Sequence, residues 1–204
     1  GAGGPNEIAV PMSNVDVRYD LFLAKYAPDG ALGWVRTAGG PQWETVAGVE
    51  AMADGRAVVA GAVGDGAAVF AAGEPSAVTV DAHSMYLARY SASGELEYVA
   101  HSINAGTGAS ALAAGPDGSL FVAGTTGARA VFGPGEPGEV DSASVENPRT
   151  FLARYRTDGT LDWLRFGGGI PATHWVDGVS TTADGAWTVG RTTEPMTFNL
   201  GQPD

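Results

Sequence analysis

An all-β fold made of repeated four-stranded antiparallel units is predicted by three features of this 204-residue chain. The phrase Phe22-Leu23-Ala24-Lys25-Tyr26 returns as Tyr86-Leu87-Ala88-Arg89-Tyr90 and as Phe151-Leu152-Ala153-Arg154-Tyr155, with Tyr26, Tyr90 and Tyr155 falling 64 and 65 positions apart. Asp-Gly pairs at 29-30, 54-55, 117-118, 158-159 and 184-185 punctuate short apolar runs. Those runs are too short for self-standing helices and are rich in aromatic and β-branched residues, which makes them strands. A repeat this regular encodes architecture, and chemistry has to be argued separately.

Four strand types recur in each period. Strand A ends at the turns bearing Asp54, Asp117 and Asp184, as in Val46-Ala47-Gly48-Val49-Glu50-Ala51-Met52; strand B covers 56–61, 119–124 and 186–190. In the Asp-Gly turns Gly supplies the positive φ of a tight connection while Asp accepts from its own backbone, so A and B form a hairpin. Strand C is the aromatic phrase itself. Its alternation puts Phe22, Ala24 and Tyr26 on one face, suited to packing on a neighbouring sheet, and leaves Lys25, Arg89 or Arg154 on the other. Strand D follows a turn ending in Gly30, Gly94 or Gly159 and contains Trp34, Tyr98 or Trp163. Trp34, Trp163 and Trp187 lie inside strands and are expected in the core. Extra length falls between B and C, where Phe70, Phe132 and Phe198 precede Gly73-Glu74-Pro75, Gly135-Glu136-Pro137 and Gly201-Gln202-Pro203; these aromatics are expected to pack at a sheet edge.

Four antiparallel strands per period of roughly 40 to 65 residues describe propeller blades better than any other repeat architecture. The expected layout is an N-terminal segment at 1–19, then repeats over 20–204: a half blade at 20–38, blades at 45–102 and 108–167, and a half blade at 174–204. About three blade equivalents result, in a partial or oligomer-completed propeller. Both ends fall just after a Gly-x-Pro element, Gly3-Gly4-Pro5 and Gly201-Gln202-Pro203. Three blades rarely close a ring, since closed propellers have about four to eight. An open stack would bare more apolar surface than the ~300–600 Å² patch a monomer normally carries. The expectation is therefore a longer polypeptide, or a second copy whose C-D hairpin completes the C-terminal A-B hairpin.

The phrases resemble a bacterial β-propeller repeat family often named for its seven blades, with repeats approximating Asp-x-Phe-Val-Ala-Lys-Tyr-x-x-x-Gly-x-x-x-Trp, then Gly-Gly, then Val-x-x-Asp-x-x-Gly-x-x-Tyr-Val-x-Gly. Asp20 through Trp34, Gly39-Gly40 and Val49 through Gly61 follow that order. The second copy departs by having Ser84 and Tyr98 where the first has Asp20 and Trp34, and the third has Thr150 at the first position. The resemblance spans nearly everything from residue 20 onward. It implies a secreted or surface-displayed bacterial protein, extracellular or periplasmic, and says little about activity.

Composition narrows the partners. With 11 Lys+Arg against 23 Asp+Glu the net charge is −12, which repels a phosphate backbone and excludes nucleic acid as a ready partner. The absence of Cys removes disulfides and thiolate metal sites. No stretch reaches the ~18 apolar residues of a membrane helix. Each turn loop offers a single Asp where a calcium cage needs several, so no metal site is expected. His83, His101 and His174 fit no metalloenzyme pattern and read as surface or loop residues, no Gly-x-Ser-x-Gly elbow is present, and Gly167-Gly168-Gly169 lacks the Lys-Ser/Thr of a phosphate loop.

The D-to-A connections carry the one candidate binding surface. Pro41-Gln42-Trp43-Glu44 and Pro171-Ala172-Thr173-His174-Trp175-Val176-Asp177 set aromatics beside acids, whereas Asn104-Ala105-Gly106-Thr107-Gly108 has neither. Trp43, Glu44, His174, Trp175 and Asp177 could stack on and hydrogen-bond a sugar; alternatively both Trp residues fill gaps between blades. No catalytic or cofactor-binding residue is expected. The predicted function is a non-enzymatic propeller scaffold that binds a protein partner or further copies of itself. A carbohydrate-binding adhesin is the first alternative and a fragment of a quinone-dependent propeller dehydrogenase the second.

Overall fold

The computed structural model describes residues 19–103, 106–127, 129–145, 148–169 and 173–200. Residues 1–18 of the expected N-terminal segment lie outside these, as do Asn104-Ala105, Pro171-Ala172 and Gly201-Gln202-Pro203. The strands in chain order begin with β1 (Leu21–Tyr26), β2 (Leu32–Gly39), β3 (Glu44–Ala51), β4 (Ala57–Val63), β5 (Ala68–Phe70) and β6 (Val78–Val80). They continue with β7 (Met85–Tyr90), β8 (Leu96–Ile103), β9 (Gly108–Ala114), β10 (Leu120–Thr125), β11 (Val131–Phe132) and β12 (Val140–Asp141). The last are β13 (Pro148–Tyr155), β14 (Leu161–Gly168), β15 (His174–Thr182), β16 (Gly185–Thr192) and β17 (Thr197–Leu200). The protein is all-β with antiparallel sheets and no closed ring.

The A-B-C-D order holds inside each sheet: β3-β4-β7-β8 in the second and β9-β10-β13-β14 in the third. Among the described residues the first sheet has the C and D strands, β1 and β2, and the last the A and B strands, β15 and β16. Register is the same in both complete sheets. Gly61 opposes Tyr86 and Gly124 opposes Phe151, and beside each glycine the A strand bulges. A Cβ at Gly61 would stand 1.8 Å from the Thr45 carbonyl and 2.4 Å from the Tyr86 hydroxyl, so glycine is what lets the ring lie across strand B.

The segments between B and C do not finish their own sheet. β5-β6 pairs with β2, β11-β12 with β8, and β17 with β14, so each reaches back to the outer edge of the preceding sheet and straps two sheets together. The strap aromatics then sit between sheets. The Phe70 and Tyr86 ring centroids are 5.0 Å apart, and Phe132 lies 4.9 Å from Phe151 and 6.1 Å from Phe166. Two apolar cores result: Leu21, Leu23, Val59, Phe70, Tyr86 and Tyr90 between the first and second sheets, and Val58, Leu87, Val122, Phe132, Phe151 and Tyr155 between the second and third. The faces of strand C divide as its alternation predicts, with Tyr86-Ala88-Tyr90 facing back and Met85-Leu87 facing forward.

Further contacts step from sheet to sheet. The Lys25 amine donates to the Ala92 carbonyl at 3.1 Å, and Arg89 donates to the Thr157 carbonyl at the matching turn. Trp34 covers Gly94, where a Cβ would meet the indole at 2.8 Å, and Tyr98 covers Gly159 at 2.7 Å.

Asp29, Asp54, Asp117 and Asp158 each accept the backbone N–H two residues on, and Gly30, Gly55, Gly118 and Gly159 all have positive φ. The fifth turn is a correction. Thr182 pairs directly with Gly185, so the turn residues are Ala183-Asp184 and Gly185 is already strand. Trp187 is a second correction: expected in the core, it is 69% exposed, because it points where the next sheet would lie while its counterparts Val58 and Phe121 are covered by one. Phe198 is likewise 69% exposed, although Phe70 and Phe132 at the same strap position are fully buried.

One surface network tests how much electrostatics adds. Arg154 bridges Asp117 and Asp162, each at 2.5 Å, with its guanidinium 5.9 Å from the Phe121 ring centroid. The Asp117 carboxyl is held down to about 2, chiefly by the Ser119 hydroxyl and amide and then by Arg154. Because the group is largely solvated, Arg154→Ala should cost about 1 kcal/mol or less in a urea melt, and less still at high salt.

Candidate functional site

The sequence-predicted residues separate in space. Glu44 pairs with Val63 and His174 with Thr192, which puts Glu44 and His174 at the same register position, the first residue of strand A. Thr107, just ahead of β9, occupies that position in the third sheet. All three side chains are buried, and in each a polar atom lacks a well-formed hydrogen bond: both Glu44 carboxylate oxygens, the Thr107 hydroxyl and His174 Nε2. His174 is therefore not the surface residue the sequence suggests; its Nδ1 lies 2.7 Å from the Thr192 hydroxyl.

Glu44 has the strongest electrostatic perturbation of the three. Its backbone N–H donates to the Tyr19 carbonyl at 2.9 Å, just ahead of β1. Burial, then the charge of Asp20, raise its carboxyl to about 7, and the Gly40 amide only partly opposes them. The neighbouring Tyr86 phenol is pushed up by burial and by Tyr90 and Glu44, and it donates to the Thr45 carbonyl at 2.8 Å. A buried acid and a buried phenol thus lie near enough for the charge of one to act on the other. Neither is on the outer surface.

The two tryptophans are not equivalent. Trp43 precedes the strand and its indole lies against Gly64, where a Cβ would meet ring atoms at 2.6 Å; Trp175 lies within β15, one residue after His174. Both are partly exposed. Trp175 borders a cavity of about 300 Å³ between the third sheet and the β15-β16 hairpin, lined also by Leu152, Phe166, Val189, Gly190 and Phe198. At its rim Arg191 makes a two-pronged ion pair with Asp177, both contacts 2.8 Å, and its guanidinium is 5.5 Å from the Trp175 ring centroid. The structure brings Trp175, Asp177 and the register of His174 together at one end and leaves Trp43 and Glu44 at the other.

No family model matches the chain, and the curated proteins hold no match to it. The propeller resemblance rests on the repeated phrases alone. Among the described residues no group of three or more His, Asp or Glu side chains is placed to hold a metal ion, and no helix is long and apolar enough to cross a membrane.

The sequence anticipates an open stack with a bared apolar face; what it does not give is which side chains are bared. Phe22 is 70% and Tyr26 64% exposed, whereas Tyr86, Tyr90, Phe151 and Tyr155 at the same positions are buried by a preceding sheet. At the other end Trp187, Val189 and Phe198 are exposed where internal counterparts are covered. The signal was present in the phase of the repeat; its residue-level form needed the register.

Proposed function

We propose that the sheets are propeller blades and that the chain is a non-enzymatic scaffold, extracellular or displayed on a bacterial surface, whose work is to bind or assemble protein through its two blade-end faces. The observation that carries this reading is the contrast between buried and exposed copies of one position. Tyr86 and Phe151 are sealed by a neighbouring blade and Phe22 is not; Val58 and Phe121 are sealed and Trp187 is not. Apolar positions of this size, gathered at both ends of a stack, mark interaction surfaces.

The test is dye binding at high dilution together with a glycan array. An environment-sensitive apolar dye should bind the native chain, and the double variant Phe22→Ser with Trp187→Ser should lose most of that signal while keeping its strand content. Trp175, Arg191 and Asp177 around a cavity favour a second reading, a carbohydrate site. Under the scaffold reading Trp43→Ala and Trp175→Ala each lower the melting temperature by a few degrees, with the array blank throughout. A glycan signal that Trp175→Ala abolishes in a folded protein would establish the adhesin instead.

A further inference from the structure

We infer that an ordered water molecule is bound wherever strand A meets the preceding sheet, bonded to the side chain at the start of that strand: Glu44, Thr107 or His174. These three share one register position, and none is more than 5% exposed. Both Glu44 carboxylate oxygens, the Thr107 hydroxyl and His174 Nε2 are buried without a well-formed hydrogen bond. A buried polar atom in that condition is costly, so the same deficit at one position in three places calls for one explanation.

The backbone at this position already crosses to the sheet before it. The Glu44 N–H donates to the Tyr19 carbonyl at 2.9 Å and the Thr107 N–H to the His83 carbonyl at 3.0 Å, and each acceptor lies two residues ahead of a strand C, β1 or β7. The residue between acceptor and strand is polar in both, Asp20 and the fully buried Ser84, so the entry to strand C offers a second polar side chain. The Ser84 hydroxyl makes a long 3.4 Å contact to the Ala82 carbonyl. For Glu44 and His174 the chain leaves strand D through a glycine, which keeps the backbone close. The Gly40 amide acts on the Glu44 carboxyl, and a Cβ at Gly169 would stand 3.9 Å from His174 Nε2.

Water is the ligand that suits all three side chains. The Thr192 hydroxyl donates to the Glu194 carbonyl, so it accepts from the Nδ1–H of His174, 2.7 Å away. Nε2 of the uncharged ring is then an acceptor that needs a donor. An ionised Glu44 also needs donors, whereas the Thr107 hydroxyl both donates and accepts. An anion would be repelled by Glu44, and a cation would find no charge at Thr107. A small uncharged molecule that donates and accepts meets every case, and a buried water with two to four polar partners is the common one. Nothing in this placement requires the sheets to close into a ring or to meet a partner, so its outcome and that of the scaffold reading are separate.

Crystal structures of the 204-residue chain and of Thr107→Val and Thr107→Ser, at a resolution that shows ordered water, are the test, together with thermal melts. The parent should show a water oxygen at about 2.5–3.2 Å from Thr107 Oγ1, and others at the same distance from a Glu44 carboxylate oxygen and from His174 Nε2. Thr107→Val keeps the shape of the side chain and removes the hydroxyl, so it should fold, lose that water and melt roughly 2–4 °C below the parent. Thr107→Ser should keep the water. If the hydroxyl is instead dry, Thr107→Val melts at or above the parent, because deleting an unpartnered buried group relieves the folded state. That result, the absence of water from any one of the three residues in the parent, or a water that stays in place in Thr107→Val would each overturn the inference.

Discussion

Phe132→Ala should destabilise the chain by about 3–5 kcal/mol, the range for emptying a fully buried aromatic site. The ring sits in strand β11 of a strap and is enclosed by Phe151 and Phe166 at 4.9 and 6.1 Å. Among the described residues its strand pairs with the preceding sheet through Val131 opposite Ile103 and Phe132 opposite Ser102, and with the return strand β12 through two further pairs. The Ser142 hydroxyl anchors the return, accepting from the Ala130 N–H at 2.8 Å and donating to the Gly127 carbonyl at 3.2 Å. With so few backbone bonds, the aromatic cluster supplies most of what ties the strap to the previous sheet, and a cavity there cannot collapse without moving three segments. Melting should fall by roughly 10 °C for a protein of this size. Phe198→Ala is the matched control. Measured below any association, it should lie within about 0.5 kcal/mol of the parent, because that ring is mostly solvated. Equal losses in the two variants would mean the straps do not work as described.

Glu44→Gln should remove a pH dependence and stabilise the protein above neutrality. The Glu44 carboxyl is raised from its ordinary 4.5 to about 7 by burial and by Asp20. A raised carboxyl favours the folded state fully below about pH 4.5, and that contribution is lost as pH climbs through 7, where the folded protein must ionise a buried acid beside another acid. A shift of this size corresponds to roughly 3 kcal/mol between the two limits. Urea melts of the parent should therefore weaken from pH 4.5 to pH 8, while Glu44→Gln stays flat across that window and exceeds the parent at pH 8 by up to about 3 kcal/mol. Asp117 cannot imitate the effect. Its carboxyl is depressed, so its contribution is lost only below the ordinary value of 3.8. A parent curve that is flat or rising from pH 4.5 to 8 would contradict the placement of Glu44.

Strand order and most turns were legible in the sequence because their signals are local. A five-residue aromatic phrase states which face is buried, and four of the five Asp-Gly pairs form the expected turn. The fifth shows the limit: the same dipeptide at 184-185 is read one residue differently because β15 and β16 pair through to Thr182 and Gly185. The straps were not legible. A short apolar run between two strands can extend either its own sheet or the preceding one, and the choice depends on which edge is open in space. The equivalence of Glu44, Thr107 and His174 was hidden for a related reason. Three residue types with nothing in common but polarity occupy one buried position, which only cross-strand pairing identifies. Trp187 was misplaced because a strand pattern tells which side is apolar and not whether anything covers it.

The central claim is that the aromatic-bearing segments after strand B tie neighbouring sheets together by pairing backward, β5 with β2 and β11 with β8. Amide hydrogen exchange in the parent and in Phe132→Ala decides whether they do. β5 and β11 should be protected in the parent, and Phe132→Ala should release β11 and the opposing Ser102 and Ile103 well before β4 and β7, which are paired on both sides. Fast exchange of β5 and β11 in the parent, or protection of β11 that survives the loss of Phe132, would contradict it.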